Sequence, residues 1–394
     1  MTLDVEIERI LPGGLGLAHA DGKTVMVGLV APGDRVRVRV DRQQGNVLFA
    51  SLDEILTPSP VRVEPPCPYF GHCGGCDFQQ LTYEAQLVAK AEMIRDCLHR
   101  IARLETIPEI VVTPSPGTWH YRARAMWQID QEQRAIGYYQ RGSRHVCDVA
   151  ECAVLRPELQ VKLEAIRSTD WSEFPPDLKH LDVVAGLNGV SFAPPFADFE
   201  TSELSLTVGP ETYHYNAETF FQINPSLLKT LLDSALAEAG GKSAVDLYSG
   251  VGLFTLPLAR RFERVVAVEA NRAATRFARQ NLRLAGLRNA RVVTEKVTDW
   301  FRDGAMERVD FVLLDPPRAG AESIVIKGIL NLKPVRISYV SCDPATLARD
   351  LRKLIAGGYA IEHLAAFDLF PQTHHVETVV RLSTDYAEQL VTSV

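Results

Sequence analysis

The chain has 394 residues, 46% apolar and 23% charged, with a formal net charge of −7 at pH 7, which excludes a disordered or fibrous chain and is long enough for two or three domains. No run of about twenty apolar residues occurs, and Met1-Thr2-Leu3-Asp4-Val5-Glu6 lacks a signal-peptide pattern, so a cytosolic protein with no membrane partner is expected. The negative balance argues against nucleic acid coating the whole surface but allows a local basic groove.

Residues 1 to about 56 alternate short β-rich runs with turns: 5–10, Pro12-Gly13-Gly14, Thr24-Val25-Met26-Val27, then Arg35-Val36-Arg37-Val38-Arg39-Val40. The last places arginines on one face and valines on the other. This predicts a small five-stranded barrel of the OB-like kind used to bind RNA, although an arginine face can equally be solvated. The segment resembles the TRAM domain found at the front of several RNA-modifying enzymes.

Thr57-Pro58-Ser59-Pro60 and Pro65-Pro66 read as a linker. Then comes Cys67-x5-Cys73-x2-Cys76 with Gly74 and Gly75 between the last two cysteines. Seven cysteines in a cytosolic chain, three of them clustered, point to metal or catalysis rather than to disulfides. A fourth ligand is required. Cys152 is the first choice, Cys147 the second and His72 an outsider, while Cys97 falls on the apolar stripe Leu87, Ile94, Leu98, Ile101 and is expected to pack. Four thiolates serve zinc or an iron–sulfur cluster alike; the unequal first spacing and the distant fourth cysteine tilt the reading toward iron.

Between these cysteines, 121–127 and 136–144 mix arginines with aromatic rings at strand spacing, suiting phosphates and unstacked bases. Arg122, Arg124, Arg141 and Arg144 are the candidates, against the plainer reading of a solvated strand face. Residues 165–200 carry no pattern.

From about residue 218 strands alternate with helices. Asp246-Leu247-Tyr248-Ser249-Gly250-Val251-Gly252 is a strand end with a glycine turn, and 264–269 is a second strand ending in the carboxylate Glu269. Such a turn and carboxylate suit an adenosine cofactor, and the missing third glycine favours S-adenosylmethionine over NAD. Asp315-Pro316-Pro317-Arg318 ends a further strand. Ile337 to Pro344 then puts Cys342 at a strand's carboxyl edge, where ligands sit and a thiol is more easily activated than one packed mid-strand.

Taken together, Cys67, Cys73, Cys76 and Cys152, Phe220-Phe221-Gln222-Ile223-Asn224-Pro225, the Asp246 turn, the Asp315 turn, Ser341-Cys342-Asp343-Pro344 and the run 370–378 ending Val376-Glu377-Thr378 resemble the RNA uracil-5 methyltransferase family over residues 1 to about 382. The resemblance implies S-adenosylmethionine and a four-iron four-sulfur (4Fe-4S) cluster as cofactors. It implies Cys342 as nucleophile and Glu377 as base, with Gln222, Tyr248, Gly250, Glu269 and Asp315 around the cofactor and the uracil; His374 or His375 could share the base role. Leu253 stands where some members carry a polar residue beside the cofactor. The front barrel together with the cluster favours ribosomal RNA over transfer RNA as partner.

The expected architecture is multidomain: a TRAM barrel over 1–56, a central α+β iron–sulfur region with an RNA-contacting sheet over 57–217, and an α/β Rossmann-like methyltransferase over 218–394. A monomer is expected. A non-catalytic RNA-binding paralogue and methylation of cytosine are the alternatives.

Overall fold

The computed structural model describes residues 1–303 and 308–384; positions 304–307 and 385–394, at the interior and end of the third expected unit, lie outside the described residues.

The alternation in Arg35–Gln44 turns Val36 and Val38 fully inward and leaves Arg35 and Arg39 exposed. Arg37, on the same outer face, is held by Asp4 and Glu54, so part of the arginine face is neutralised within the barrel. The sheet has six strands rather than five, in the order Thr2–Glu6, Arg35–Gln44, Val47–Thr57, Lys23–Gly28, Leu15–Ala20 and Arg9–Ile10. The extra strand arises because the run 5–10 breaks at Ile7 and Glu8, whose N–H groups donate to the carbonyls of Asp34 and Leu17. Past the barrel, the Arg62 guanidinium binds the fully buried Asp34 carboxylate and the Leu29 carbonyl, anchoring the linker.

A second sheet is antiparallel and five-stranded, in the order Val146–Asp148, Ala135–Tyr139, Arg124–Asp130, His180–Gly186 and Gly189–Ala193. The helix Pro157–Arg167 covers it and shares a core of Trp127, Leu159, Leu163, Leu181 and Phe192. Two of these strands lie in the stretch that carried no sequence pattern. Their burial comes from an aromatic group of Trp171, Phe174, Phe196 and Phe199 spread over turns, which no fixed period reveals.

The largest sheet runs Ala290–Thr294, Phe262–Glu269, Gly241–Leu247, Phe311–Leu314, Arg336–Ser341, Glu377–Ser383, Ala360–Phe367 and Val112–Thr113. Its first five members are mutually parallel; Glu377–Ser383 is antiparallel to both neighbours. Apolar runs buried on both faces explain this: Val245, Leu247, Val312, Leu314, Ile337 and Tyr339 are essentially inaccessible. Each such side chain contributes roughly 1.5–3 kcal/mol through burial. The strand order reverses between Gly241–Leu247 and Phe311–Leu314, so the ligand crevice opens at the carboxyl ends of these strands.

Residues 83–113, assigned by sequence to the middle region, dock on this third sheet instead. The helix Tyr83–Arg100, capped by Thr82, packs on the helix Pro344–Ala356, and Val112–Thr113 adds a strand beside Ala360–Phe367. Cys97 is buried in the core they share.

Candidate active site and cysteine cavity

Cys342 follows the last residue of Arg336–Ser341 and directly precedes Asp343, which caps the helix Pro344–Ala356 by accepting from the Thr346 N–H at 2.8 Å. The antiparallel register pairs Ser341 with Thr378, which brings Cys342 beside Glu377 at the start of the next strand. Glu377 is 2% exposed. Its carboxyl is pushed well above the usual range, first by burial and then by Asp315, while Arg318 opposes the shift.

The Cys342 thiol is pushed up to about 12, by burial first and then by Glu377 and Asp315, again with Arg318 opposing. This corrects the expectation that a thiol at the strand edge is easily activated: in the protein alone the pocket holds the sulfur protonated. Burial lifts the Asp315 carboxyl to about 7. Cys342, Glu377, Asp315 and Arg318 thus share one electrostatic pocket. Arg318 went unassigned in the sequence reading, although it is the last member of the Asp-Pro-Pro-Arg turn.

The cofactor-type turn and its carboxylate also meet. Gly250 N–H donates to Glu269 Oε2 at 3.0 Å, and Asn271 N–H donates to Glu269 Oε1 at 2.7 Å. Tyr248 (φ +63°) and Gly250 (φ +53°) turn the backbone left-handed here, a conformation costly for a tyrosine. Asp246 is fully buried and lifted to about 7 by burial. Its Oδ1 and the Ser249 hydroxyl have no hydrogen-bond partner among the described residues, so the turn has spare polar capacity for a ligand such as S-adenosylmethionine. Leu253 is buried in the core beside this turn. Gln222 is buried on the segment that joins the middle sheet to the third, but hydrogen-bonds to none of Cys342, Glu377 and Asp315.

Cys342 also lines a small cavity, about 60 Å³, together with His374, His375, Met93 and the barrel residues Pro12 and Gly13. His375 is pushed down to about 2, by burial first and then by His374, Arg318, Lys90 and Arg122. It stays neutral and is a weak base, which leaves Glu377 the better proton acceptor. His374 pairs through Nδ1 with Asp77, and its N–H donates to the same carboxylate at 2.8 Å. Asp77 directly follows Cys76.

Cys67, Cys73, Cys76 and Cys152 line a second cavity with Gln79, Arg122 and Tyr138. Burial pushes the thiols of Cys73 and Cys76 up to about 12. Cys147 is buried against Cys73 and does not line the cavity. Among the described residues no group of three or more His, Cys, Asp and Glu is drawn together tightly enough for a single ion. Arg122 Nε, Tyr138 Oη and Gln79 Oε1 lack partners among the described residues, and a buried cation facing four thiols fits an anionic centre larger than one ion.

Two of the arginines expected to touch RNA are therefore accounted for otherwise. Arg122 faces the thiols, and Arg124 is bound by Asp182 and by the carbonyls of Ala217 and Thr219. Arg141 packs against Gly28 of the barrel, whereas Arg144 remains exposed.

Known proteins resemble the chain in sequence and in fold. Residues 197–385 match the family model described as tRNA (Uracil-5-)-methyltransferase, and residues 3–61 match the TRAM domain of tRNA (uracil(54)-C(5))-methyltransferase. The chain is 33% identical to the 23S rRNA (uracil(1939)-C(5))-methyltransferase RlmD of Pectobacterium atrosepticum, over 96% of this chain and 93% of that one. It is also 33% identical to a protein of Gloeobacter violaceus named an uncharacterized RNA methyltransferase, over 97% and 96% of the two chains. In three dimensions it resembles the Pyrococcus abyssi tRNA (uracil-54, C5)-methyltransferase, solved with S-adenosyl-L-homocysteine, with TM-score 0.75 and 25% identity over 96% of this chain and 99% of that one. With its TRAM barrel in front of an S-adenosylmethionine methyltransferase fold, the chain belongs to the family of RNA uracil-5 methyltransferases.

Proposed function

We propose that this enzyme methylates C5 of a uridine in ribosomal RNA, with Cys342 as nucleophile and Glu377 as base. The observation that carries the reading is the adjacency of Cys342 and Glu377 across one strand pair, with Asp315 and Arg318 in the same pocket. Ribosomal RNA is favoured over transfer RNA by the higher identity to the 23S rRNA enzyme than to the archaeal tRNA enzyme.

Uracil C5 is a weak nucleophile. Addition of the Cys342 sulfur to C6 pushes the C5=C6 electrons toward O4 and makes C5 an enolate carbon able to attack a methyl group. S-adenosylmethionine, when bound, supplies that methyl on a sulfonium and leaves as S-adenosylhomocysteine. Glu377 then takes the proton from C5, the C5=C6 bond re-forms and the sulfur is expelled from C6. A carboxylate with a raised pKa is the stronger base for this step. Arg318, itself exposed, favours both the thiolate and the carboxylate. Gln222, Tyr248, Gly250, Glu269 and Asp315 are assigned to the cofactor and uracil. A target inside a stem or folded loop must be flipped out to reach Cys342.

Cys67, Cys73, Cys76 and Cys152 would hold a 4Fe-4S cluster, with Arg122 set against its charge. Its contribution would be a cross-link between the cysteine loop and the middle sheet.

The test is incubation of anaerobically purified enzyme with labelled S-adenosylmethionine and, separately, unmodified 23S rRNA and bulk tRNA, followed by nucleoside separation. Label in 5-methyluridine from the ribosomal RNA is expected. Label from tRNA alone would reassign the substrate, and label in 5-methylcytidine would overturn the base.

A further inference from the structure

Helix Arg272–Leu284 carries four arginines and no acidic residue. Arg272, Arg276, Arg279 and Arg283 follow one another at spacings of four, three and four, which sets them on one face. All four are exposed, while Ala274, Phe277, Ala278 and Leu282 form the buried face. Beside the helix, the exposed Arg288 and Arg291 lie at the start of the edge strand Ala290–Thr294. Arg279, Arg283, Arg288 and Arg291 line one open groove of about 520 Å³.

A solvated helix face would explain exposed charge, but such faces ordinarily mix signs. Here none of the six guanidinium groups makes an ion pair among the described residues, although Arg37, Arg62, Arg124 and Arg260 each meet a carboxylate elsewhere in the chain. Glu203, an acid that does reach this helix, bonds Gln280 and His214 rather than an arginine. Arg279 is held by the Val292 carbonyl and the Thr294 hydroxyl, which fixes the groove wall without neutralising it. In a chain of net charge −7, a six-arginine patch without a counter-charge is a local field of opposite sign. Arginine rather than lysine suits bidentate contact with phosphate oxygens.

We propose that this patch is the track for the phosphodiester backbone of the substrate RNA on the side flanking the target uridine. The inference rests on the reading of RNA as substrate and adds where the RNA lies. The helix starts just after Glu269 at the ligand edge; at 1.5 Å per residue, Arg283 lies about 17 Å further along the flank of the sheet. The edge strand is four strand spacings from the strand of Cys342, about 19 Å. The track is thus remote from the flipped base and within reach of the stem beside it. It also supplies the phosphate contacts that Arg122 and Arg124, turned inward, do not.

The test is the triple variant R283E/R288E/R291E, which leaves the cofactor turn and Cys342 untouched, compared with R283K/R288K/R291K. Binding to a 23S rRNA transcript is measured over a range of salt, alongside KM and kcat for methylation, thermal midpoint and cofactor affinity. The glutamate variant should lower the slope of log affinity against log salt by about 2 to 3, since each lost phosphate contact removes about 0.7–0.9. Its KM should rise at least roughly tenfold at physiological salt, with kcat, thermal midpoint and cofactor affinity near those of the parent; the lysine variant should retain most of the slope. An unchanged salt slope and KM in a folded glutamate variant would overturn the proposal. Binding does not require turnover, so loss of slope without any 5-methyluridine from the parent enzyme would keep the track and overturn the reaction. A parent enzyme with no affinity for RNA would overturn both.

Discussion

At Cys342 burial and two carboxylates outweigh the local advantages of a strand edge and a helix start, so the resting thiol is protonated. The proposed addition by Cys342 therefore depends on positive charge reaching the sulfur, and Arg318 is the guanidinium that opposes the upward shifts of both Cys342 and Glu377. As the proposed base, Glu377 must be ionised to accept the C5 proton, and its folded pKa is raised, so the acid limb of kcat should lie well above the ordinary glutamate value of about 4.3. Arg318→Gln should move that limb to higher pH, because the charge favouring the carboxylate is gone; a limb that stays put or moves down in a pH–rate profile would contradict the assignment. Cys342→Ala should abolish methylation while leaving S-adenosylmethionine binding within about twofold by calorimetry, since the work proposed for the thiol is covalent addition to the substrate. Cys342 and Glu377 were legible as a motif, but their environment was not: desolvation and the Asp315 charge come from strands far apart in sequence. Arg318 was in plain view and carried no distinguishing signal, because an arginine after a turn is usually just solvated.

Among the elements, the least legible is the clamp on the run that leads to Glu377. Asp77 and Phe78 donate their N–H groups to the Gln372 carbonyl, Gln86 exchanges hydrogen bonds with Gln372 through its side chain, and Tyr121 donates to the Pro371 carbonyl. Gln372 itself sits at φ +68°. The cysteine loop and the helix after it therefore fix the backbone that leads to Glu377. Underneath lies a fully buried ion pair, Lys90 Nζ to Asp368 Oδ1 at 2.5 Å, with Lys90 also donating to the Phe370 carbonyl. Burial pushes the Lys90 amine down and Asp368 holds it up. Removing one partner leaves an uncompensated buried charge, so Lys90→Met should cost about 3–5 kcal/mol in chemical denaturation; a loss below about 1 kcal/mol would mean that the pair is hydrated. Asp77→Ala should lower kcat for RNA methylation about tenfold or more by releasing His374 and the adjacent backbone, with cofactor affinity unchanged. Sequence periodicity places a helical run over 83–103, where the structure has a helix over Tyr83–Arg100, and shows its apolar stripe, yet it could not show a buried lysine on that helix, because its partner is 278 positions away.

Across the whole molecule, the barrel reaches the chemistry. Pro12 and Gly13 line the cavity of Cys342, and a Cβ on Gly14 would lie 2.9 Å from the Asp77 carboxylate and 3.0 Å from His374 Cβ. Gly14 also has φ +78°, so a larger residue is strained as well as crowded. Gly14→Val should therefore reduce kcat although the residue touches neither base nor cofactor, and barrel-domain stability measured on the variant should change less than turnover. The order of the three regions was legible because each has its own rhythm: period-two strands, a cysteine loop, then strand alternating with helix. Their packing was not, since the docking of 83–113 onto the third sheet and of the barrel turn onto Cys342 depends on contacts that leave no local pattern. The same limit applies to Arg122 and Arg124, whose strand spacing suited an RNA face until a thiol cavity and Asp182 claimed them.

The most direct test of the central claim is to trap the covalent intermediate. Glu377→Gln enzyme, incubated with S-adenosylmethionine and 23S rRNA, is run on a denaturing gel before and after nuclease treatment, with a Cys342→Ala/Glu377→Gln double variant beside it. The account predicts a slow-migrating protein–RNA adduct in the single variant, collapsed by nuclease to a mass increment on the peptide containing Cys342, and none in the double variant. An adduct that persists without Cys342, or normal turnover by the Glu377→Gln enzyme with no adduct, would contradict it.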